Sequence, residues 1–157
     1  MIENRNNKNN RLPLSFAPIF DCKDTSVRMK FLEELSDINA VDKNGMTIAM
    51  YGAMVGDIDV LQYCKEHSAN FNIQKESGVT ACILAVYFEQ EMAVSWLLKN
   101  GNIDLSKKVK NGVSIFDFVK QCGTKKIQAM FTANLFDYNN NERLLLRSLA
   151  PKTSKQR

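Results

Sequence analysis

Apolar residues along this chain gather into short, helix-length stretches that come in pairs, and the pairs repeat. From Ile48 to Val55 most positions are apolar; after Gly56-Asp57 a second stretch follows, centred on Val60-Leu61. The same order returns after Thr80, breaks at Glu89-Gln90, and resumes with Val94 and Leu97-Leu98. A third copy breaks at Gly123-Thr124 and resumes with Ile127 and Met130-Phe131. Gly45-Met46-Thr47, Gly78-Val79-Thr80 and Gly112-Val113-Ser114 open the three units at offsets of 33 and 34 residues. Polar loops close the first two, Ser68-Ala69-Asn70-Phe71-Asn72 and Gly101-Asn102-Ile103-Asp104-Leu105, and one extra residue in the second loop accounts for the longer offset. A fixed period of this length marks a repeat array.

The chemistry of the period predicts its geometry. Thr47, Thr80 and Ser114 are helix N-cap residue types, whose hydroxyls satisfy backbone amides left without partners in the first turn. The glycines two residues earlier suit a turn with positive φ. Two helices of about ten residues cannot bury their apolar faces alone, so neighbouring units must stack into one continuous core.

The strings Asp42-Lys43-Asn44-Gly45-Met46-Thr47 and Ser68-Ala69-Asn70-Phe71-Asn72 resemble the opening turn and closing loop of the ankyrin repeat. Ser36-Asp37-Ile38-Asn39-Ala40 repeats the closing loop one unit earlier, implying a divergent capping unit whose second helix runs near Val27 to Leu35. The resemblance covers roughly residues 25–133. Where the family usually has Thr-Pro-Leu-His, this chain has Thr47-Ile48-Ala49-Met50, Thr80-Ala81-Cys82-Ile83 and Ser114-Ile115-Phe116-Asp117. Without that bracing the repeats should be less ideal. The implied fold is an all-α, ankyrin-type helix-turn-helix solenoid over residues 12–149. It would hold about three recognisable repeats, near 42–74, 75–108 and 109–133, a degenerate N-terminal cap and a helical C-terminal cap.

The flanks carry weaker patterns. Leu12 to Cys22 contains Pro13 and Pro18, so it is either extended or a broken first helix of the cap. Asn139 to Asn141 offers a turn before Glu142 to Leu149, whose leucines predict a cap helix over 141–149, stopped by Pro151. As a free amphipathic helix, the same segment could instead dock in a partner's groove. The Asn-rich tail 1–11 and the basic tail 150–157 are expected to be disordered.

Composition narrows the function classes. A length of 157 residues fits one domain. The net charge of +4 suggests nucleic acid until it is located. Between Asp37 and Phe131 ten basic residues balance ten acidic ones, and the excess lies in Arg5, Lys8, Arg11, Arg143, Arg147, Lys152, Lys155 and Arg157. Nucleic acid is therefore a disfavoured partner of the body, with tail-mediated binding to nucleic acid or an anionic surface kept as an alternative. No apolar run reaches a membrane span, and Met1 to Asn10 lacks the core of a secretory signal. Cys22, Cys64, Cys82 and Cys122 form no close pair of the kind that zinc or redox motifs need, so a reduced, cytoplasmic setting is expected. A mitochondrial or host-secreted destination stays open.

Catalytic constellations are thin. His67 is the single histidine, placed near the end of a second helix where a capping or solvated role is expected. Asp57 with Asp59 and Glu33 with Glu34 fall at helix starts or on polar faces. The seven glycines form no phosphate loop. The expectation is a non-enzyme with no cofactor and no metal.

The resemblance implies instead a concave face, made by the turn tips and the exposed side of each first helix, on which protein partners lie. Its tip residues would be Lys43, Asn44 and Met46, then Glu76 and Val79, then Lys110, Asn111 and Val113. Near the helix ends stand Met54 and Val55, Tyr87 and Phe88, and Gln121 and Cys122. A frame shifted by one position would put Tyr87 and Phe88 in the core. Tyr63 and Trp96 occupy matching places in successive second helices, which suggests a stacked pair between repeats. The reading is a protein-binding adaptor or an accessory subunit of a larger assembly. A secreted bacterial effector or a regulatory subunit on the same scaffold is the alternative.

Overall fold

In the computed structural model of the chain, residues 15–21 and 24–135 are described. The expected tails 1–11 and 150–157, the cap helix 141–149, and Cys22 lie outside them. Eight helices run through the described residues. They are α1 (Ala17–Asp21), α2 (Thr25–Glu33), α3 (Ile48–Val55), α4 (Ile58–Glu66), α5 (Ala81–Tyr87), α6 (Glu91–Asn100), α7 (Ile115–Cys122) and α8 (125–135). No strand forms among the described residues; two isolated bridges, Val41 with Thr47 and Lys108 with Ser114, brace two of the turns.

Each inner helix starts as its sequence predicts. Thr47, Thr80 and Ser114 accept bonds from the amides of Met50, Ile83 and Asp117 at 3.2, 3.4 and 3.2 Å. Ser114 adds a full capping box, because Asp117 returns a bond to its backbone amide. The outer helices begin on Asp57, which caps Val60, and Thr124, which caps Ile127, while Gln90 makes no side-chain cap bond. Between α3 and α4 the chain reverses through Gly56 at φ 76°; the equivalent turn after α5 forces Glu89 to φ 55°.

The core is the inner row. α3 packs on α5 and α5 on α7, while α4 and α6 close over them from outside. Ile48, Met50, Cys82, Val86, Val94 and Leu97 are fully enclosed. Gly52 lets α4 approach α3 closely: a methyl there would lie 2.9 Å from Val60 Cγ1.

Of the segment from Leu12 to Cys22, residues 15–21 are described and hold one short helix; Pro13 lies outside them. α1 has five residues, with Pro18 in its first turn, where the missing amide hydrogen breaks no helical bond. Phe16 is buried and meets Phe31 and Tyr51 edge-on. Arg28 of α2 pairs with Asp57 at the start of α4 and lies over the Phe20 ring, which ties the cap to the first repeat.

Polar stitches run along the closing loops. Asp37, Asn70 and Asp104 sit at equivalent places, as do Asn39 and Asn72. Asn39 accepts the amide of Asn70 at 2.7 Å, and Asn72 accepts that of Asp104 at 2.8 Å. The aromatic pair expected between repeats does not form. Tyr63 stacks on His67 within its own unit, centroids 3.9 Å apart, and Trp96 meets Phe71 edge-on at 5.7 Å. The large side chain of the intervening loop residue fills the space between repeats.

The glycine turns differ in what surrounds them. All three opening glycines have positive φ, 69° at Gly45, 84° at Gly78 and 81° at Gly112. An alanine there costs about 1–2 kcal/mol of backbone strain. At Gly78 the added methyl would also fall 2.6 Å from Val109 Cα, whereas nothing lies within 4 Å at Gly112. Gly78→Ala is therefore expected to lower stability clearly more than Gly112→Ala in urea titrations followed by helical signal. Equal losses would mean that the second and third turns are not held together.

Candidate functional site

Three fingers project from one edge of the array, each closed by the same two backbone bonds. The amides of Asp42, Lys75 and Val109 donate to the carbonyls of Met46, Val79 and Val113 at 2.9, 2.9 and 3.0 Å. The amides of Gly45, Gly78 and Gly112 donate back to Asp42, Lys75 and Val109 at 2.9, 2.8 and 2.8 Å. A type I turn followed by a left-handed residue has this closure.

What secures each finger differs. In the first, Asp42 is buried and its carboxylate gathers donors from four directions. It accepts the amides of Asn44, Met46 and Phe16 at 2.9, 3.0 and 3.2 Å and the Tyr51 hydroxyl at 2.9 Å. Burial works against ionisation, but the bonds from Met46, Tyr51, Asn44 and Phe16 outweigh it and hold the carboxyl below its ordinary range. Lys75 and Val109 stand at this place in the other fingers, so those two lean on each other. Lys110 N donates to Ser77 O at 2.8 Å, and Gln74 Nε2 bridges the carbonyls of Gly78 and Lys108 at 2.7 and 2.9 Å. An exposed Lys110–Glu76 pair at 3.5 Å adds little in solvent.

Most expected face residues are accessible. Lys43, Asn44, Glu76, Lys110 and Asn111 are exposed, and Val79 and Val113 are half-buried. Met46 is not a tip residue: it is 7% exposed and belongs to the core. Its amide is held by Asp42, and Phe16 closes over the same finger, so the chain turns inward after Gly45. Met54 is half-buried and packs against the core, leaving Val55 as the exposed end of α3. Tyr87 and Phe88 stand in the open at 58% and 45% exposure, their rings edge to face at 5.2 Å. In the third repeat Gln121 is exposed and Cys122 half-buried.

One further exposed apolar residue was not among the expected face residues. Met92, on the first turn of α6, is 74% exposed. It falls off the stripe of Ala93, Val94 and Leu97 that faces the core, and that misfit was the available signal. The fingers themselves border an open groove of about 600 Å³, lined by Lys43, Asn44, Lys75, Glu76, Ser77 and Lys110 among others.

Chemistry for catalysis is sparse here. His67 caps the C-terminus of α4, its Nδ1 2.9 Å from the Tyr63 carbonyl. Cys64 and Cys82 are buried thiols pushed up to about 12 by desolvation. Among the described residues no three His, Cys, Asp or Glu side chains gather as a metal site, and no helix is long and apolar enough to cross a membrane.

Two comparisons with known proteins bear on this arrangement. A family model described as ankyrin repeats in three copies matches residues 14–109, more than half of the chain. The chain is 33% identical over 88 residues to "Ankyrin repeat and SAM domain-containing protein 6" of Rattus norvegicus, and 32% identical over 88 residues to its Mus musculus counterpart. The aligned region covers 55% of this chain but 10% of each relative. The unit built on α7 lies beyond residue 109, yet repeats the finger, cap and helix of the matched ones.

The Asp42 network yields a prediction. Hydrogen bonds to a charged group contribute about 1.5–3 kcal/mol, so Asp42→Asn should lower the urea-unfolding free energy at neutral pH by about that much. A depressed carboxyl contributes stability that is complete above its ordinary value of 3.8 and is lost as pH falls through the lower folded value. Acid titration of stability should therefore be shallower for Asp42→Asn than for the parent chain. Superimposable profiles would remove the ionised carboxylate from the account.

Proposed function

The chain belongs to the ankyrin repeat family, whose repeats are generally protein–protein interaction modules, and on that premise we propose that it is a non-catalytic adaptor or accessory subunit. Its partner is another protein, held on the concave face formed by the fingers and the ends of the inner helices. Members of the family are typically non-enzymatic. The observation that carries the reading is the exposed pair Tyr87–Phe88 at the end of α5, with Val55 exposed at the matching end of α3.

Large apolar side chains left together on a surface mark interaction sites, and aromatic anchors supply a disproportionate share of binding energy. The tips add contacts through Lys43, Asn44, Glu76, Lys110 and Asn111, with Val79 and Val113 beside them. A reducing intracellular compartment suits the free thiols of Cys64, Cys82 and Cys122.

The double variant Tyr87→Ala/Phe88→Ala tests this directly. Affinity capture with the parent chain, read by mass spectrometry, should return a protein set that the variant loses, with helical circular dichroism unchanged. Removing two aromatic anchors should weaken capture at least roughly tenfold. Retention of the same proteins by a folded variant would place the binding surface elsewhere.

A further inference from the structure

Charges on the described surface are not evenly spread. Along the finger edge stand Lys43, Lys108 and Lys110, exposed, and Lys75, half-buried, with Glu76 and Asp117 as exposed acids beside them. Asp42 also lies there, but its carboxylate is buried and committed to four donors. On and beside α2 and α4 exposed acids outnumber the exposed bases Lys30 and Lys65. Glu33, Glu34, Asp37, Asp59 and Glu66 are exposed on or beside α2 and α4. The inner helices α3 and α5 carry no charged residue at all. One face thus offers a basic rim at the fingers and an apolar, aromatic end at Val55, Tyr87 and Phe88.

We propose that this face takes an acidic peptide segment of a partner protein, with carboxylates set along Lys43, Lys75 and Lys110 and one apolar side chain seated against Tyr87 and Phe88. The inference rests on the concave-face reading above and adds the chemistry of the partner. Inner helices packed about 8–10 Å apart put the three tips in a row of about 20 Å, which six or seven extended residues cross. The fingers are suited to this. Each is closed by its own backbone bonds, and the second and third are joined through Lys110 N and Ser77 O, so the lysines project from a fixed rim. Opposed charge steers encounter and fixes register, whereas the aromatic pair supplies the desolvated contact.

The test uses the full chain and a displayed library of random dodecapeptides, selected at low salt against immobilised protein. Enriched peptides should combine acidic residues with an aromatic or aliphatic one. Their affinity should fall roughly tenfold with Tyr87→Ala/Phe88→Ala and comparably with Lys43→Glu/Lys110→Glu, and should weaken as salt is raised. Peptides without acidic bias that still require Tyr87 and Phe88 would keep the face and overturn the charge proposal. Peptides that bind both double variants as well as the parent would overturn the face itself. No enrichment over uncoated support, or tighter binding of a random single-stranded oligonucleotide through the same lysines, would overturn an acidic peptide as the occupant.

Discussion

The rest of this array depends on a closed finger with a left-handed residue at its base. The two backbone bonds that shut each finger reverse the chain in so few residues that the N-cap follows two positions after the glycine. Every inner helix therefore starts in the same phase. Because the phase is the same, the apolar sides of α3, α5 and α7 meet their neighbours in register. An error at a finger would rotate the helix that follows it. A rotated helix would expose Ile48 or Ile83 and bury nothing in return.

Two polar edges frame that apolar row, and they hold it in different ways. Along the fingers, support passes from a buried carboxylate in the first unit to backbone contact between the second and third. Along the closing loops, asparagine side chains accept backbone amides of the next unit and join each unit to the next. The bonds that cross between units link adjacent ones, so cohesion is a chain of nearest-neighbour terms. The proposed binding surface occupies the part of the frame with the least internal demand, at the exposed tips and at the helix ends beyond the core.

Much of the fold was legible in the sequence because it is set by local chemistry. The period, the caps at Thr47, Thr80 and Ser114, and the turn glycines are decided within a few residues, and the structure has them where the spacing put them. The misread residues depend on neighbours that the repeat frame alone does not supply. Met46 looks like a tip by its place beside Gly45, but Phe16 and Asp42 draw it into the core. Tyr63 and Trp96 share a register, yet His67 and Phe71 supply nearer rings. Asp42 could not be read as a four-bond hub from the finger alone, since two of its donors, Phe16 and Tyr51, belong to other elements. Exposure of Tyr87 and Phe88 turned on a single position of helical frame, which α5 fixes by ending at Tyr87.

Cys64 on α4 and Cys82 on α5 face into the same core, and burial pushes both thiols up to about 12. At neutral pH burial keeps both as thiols, and the thiolate is the reactive form. In the closed array these sulfurs are thus chemically silent toward oxidants and alkylating agents. Reaction at either sulfur therefore requires local opening, so the rate of thiol labelling would time the opening of the first two repeats.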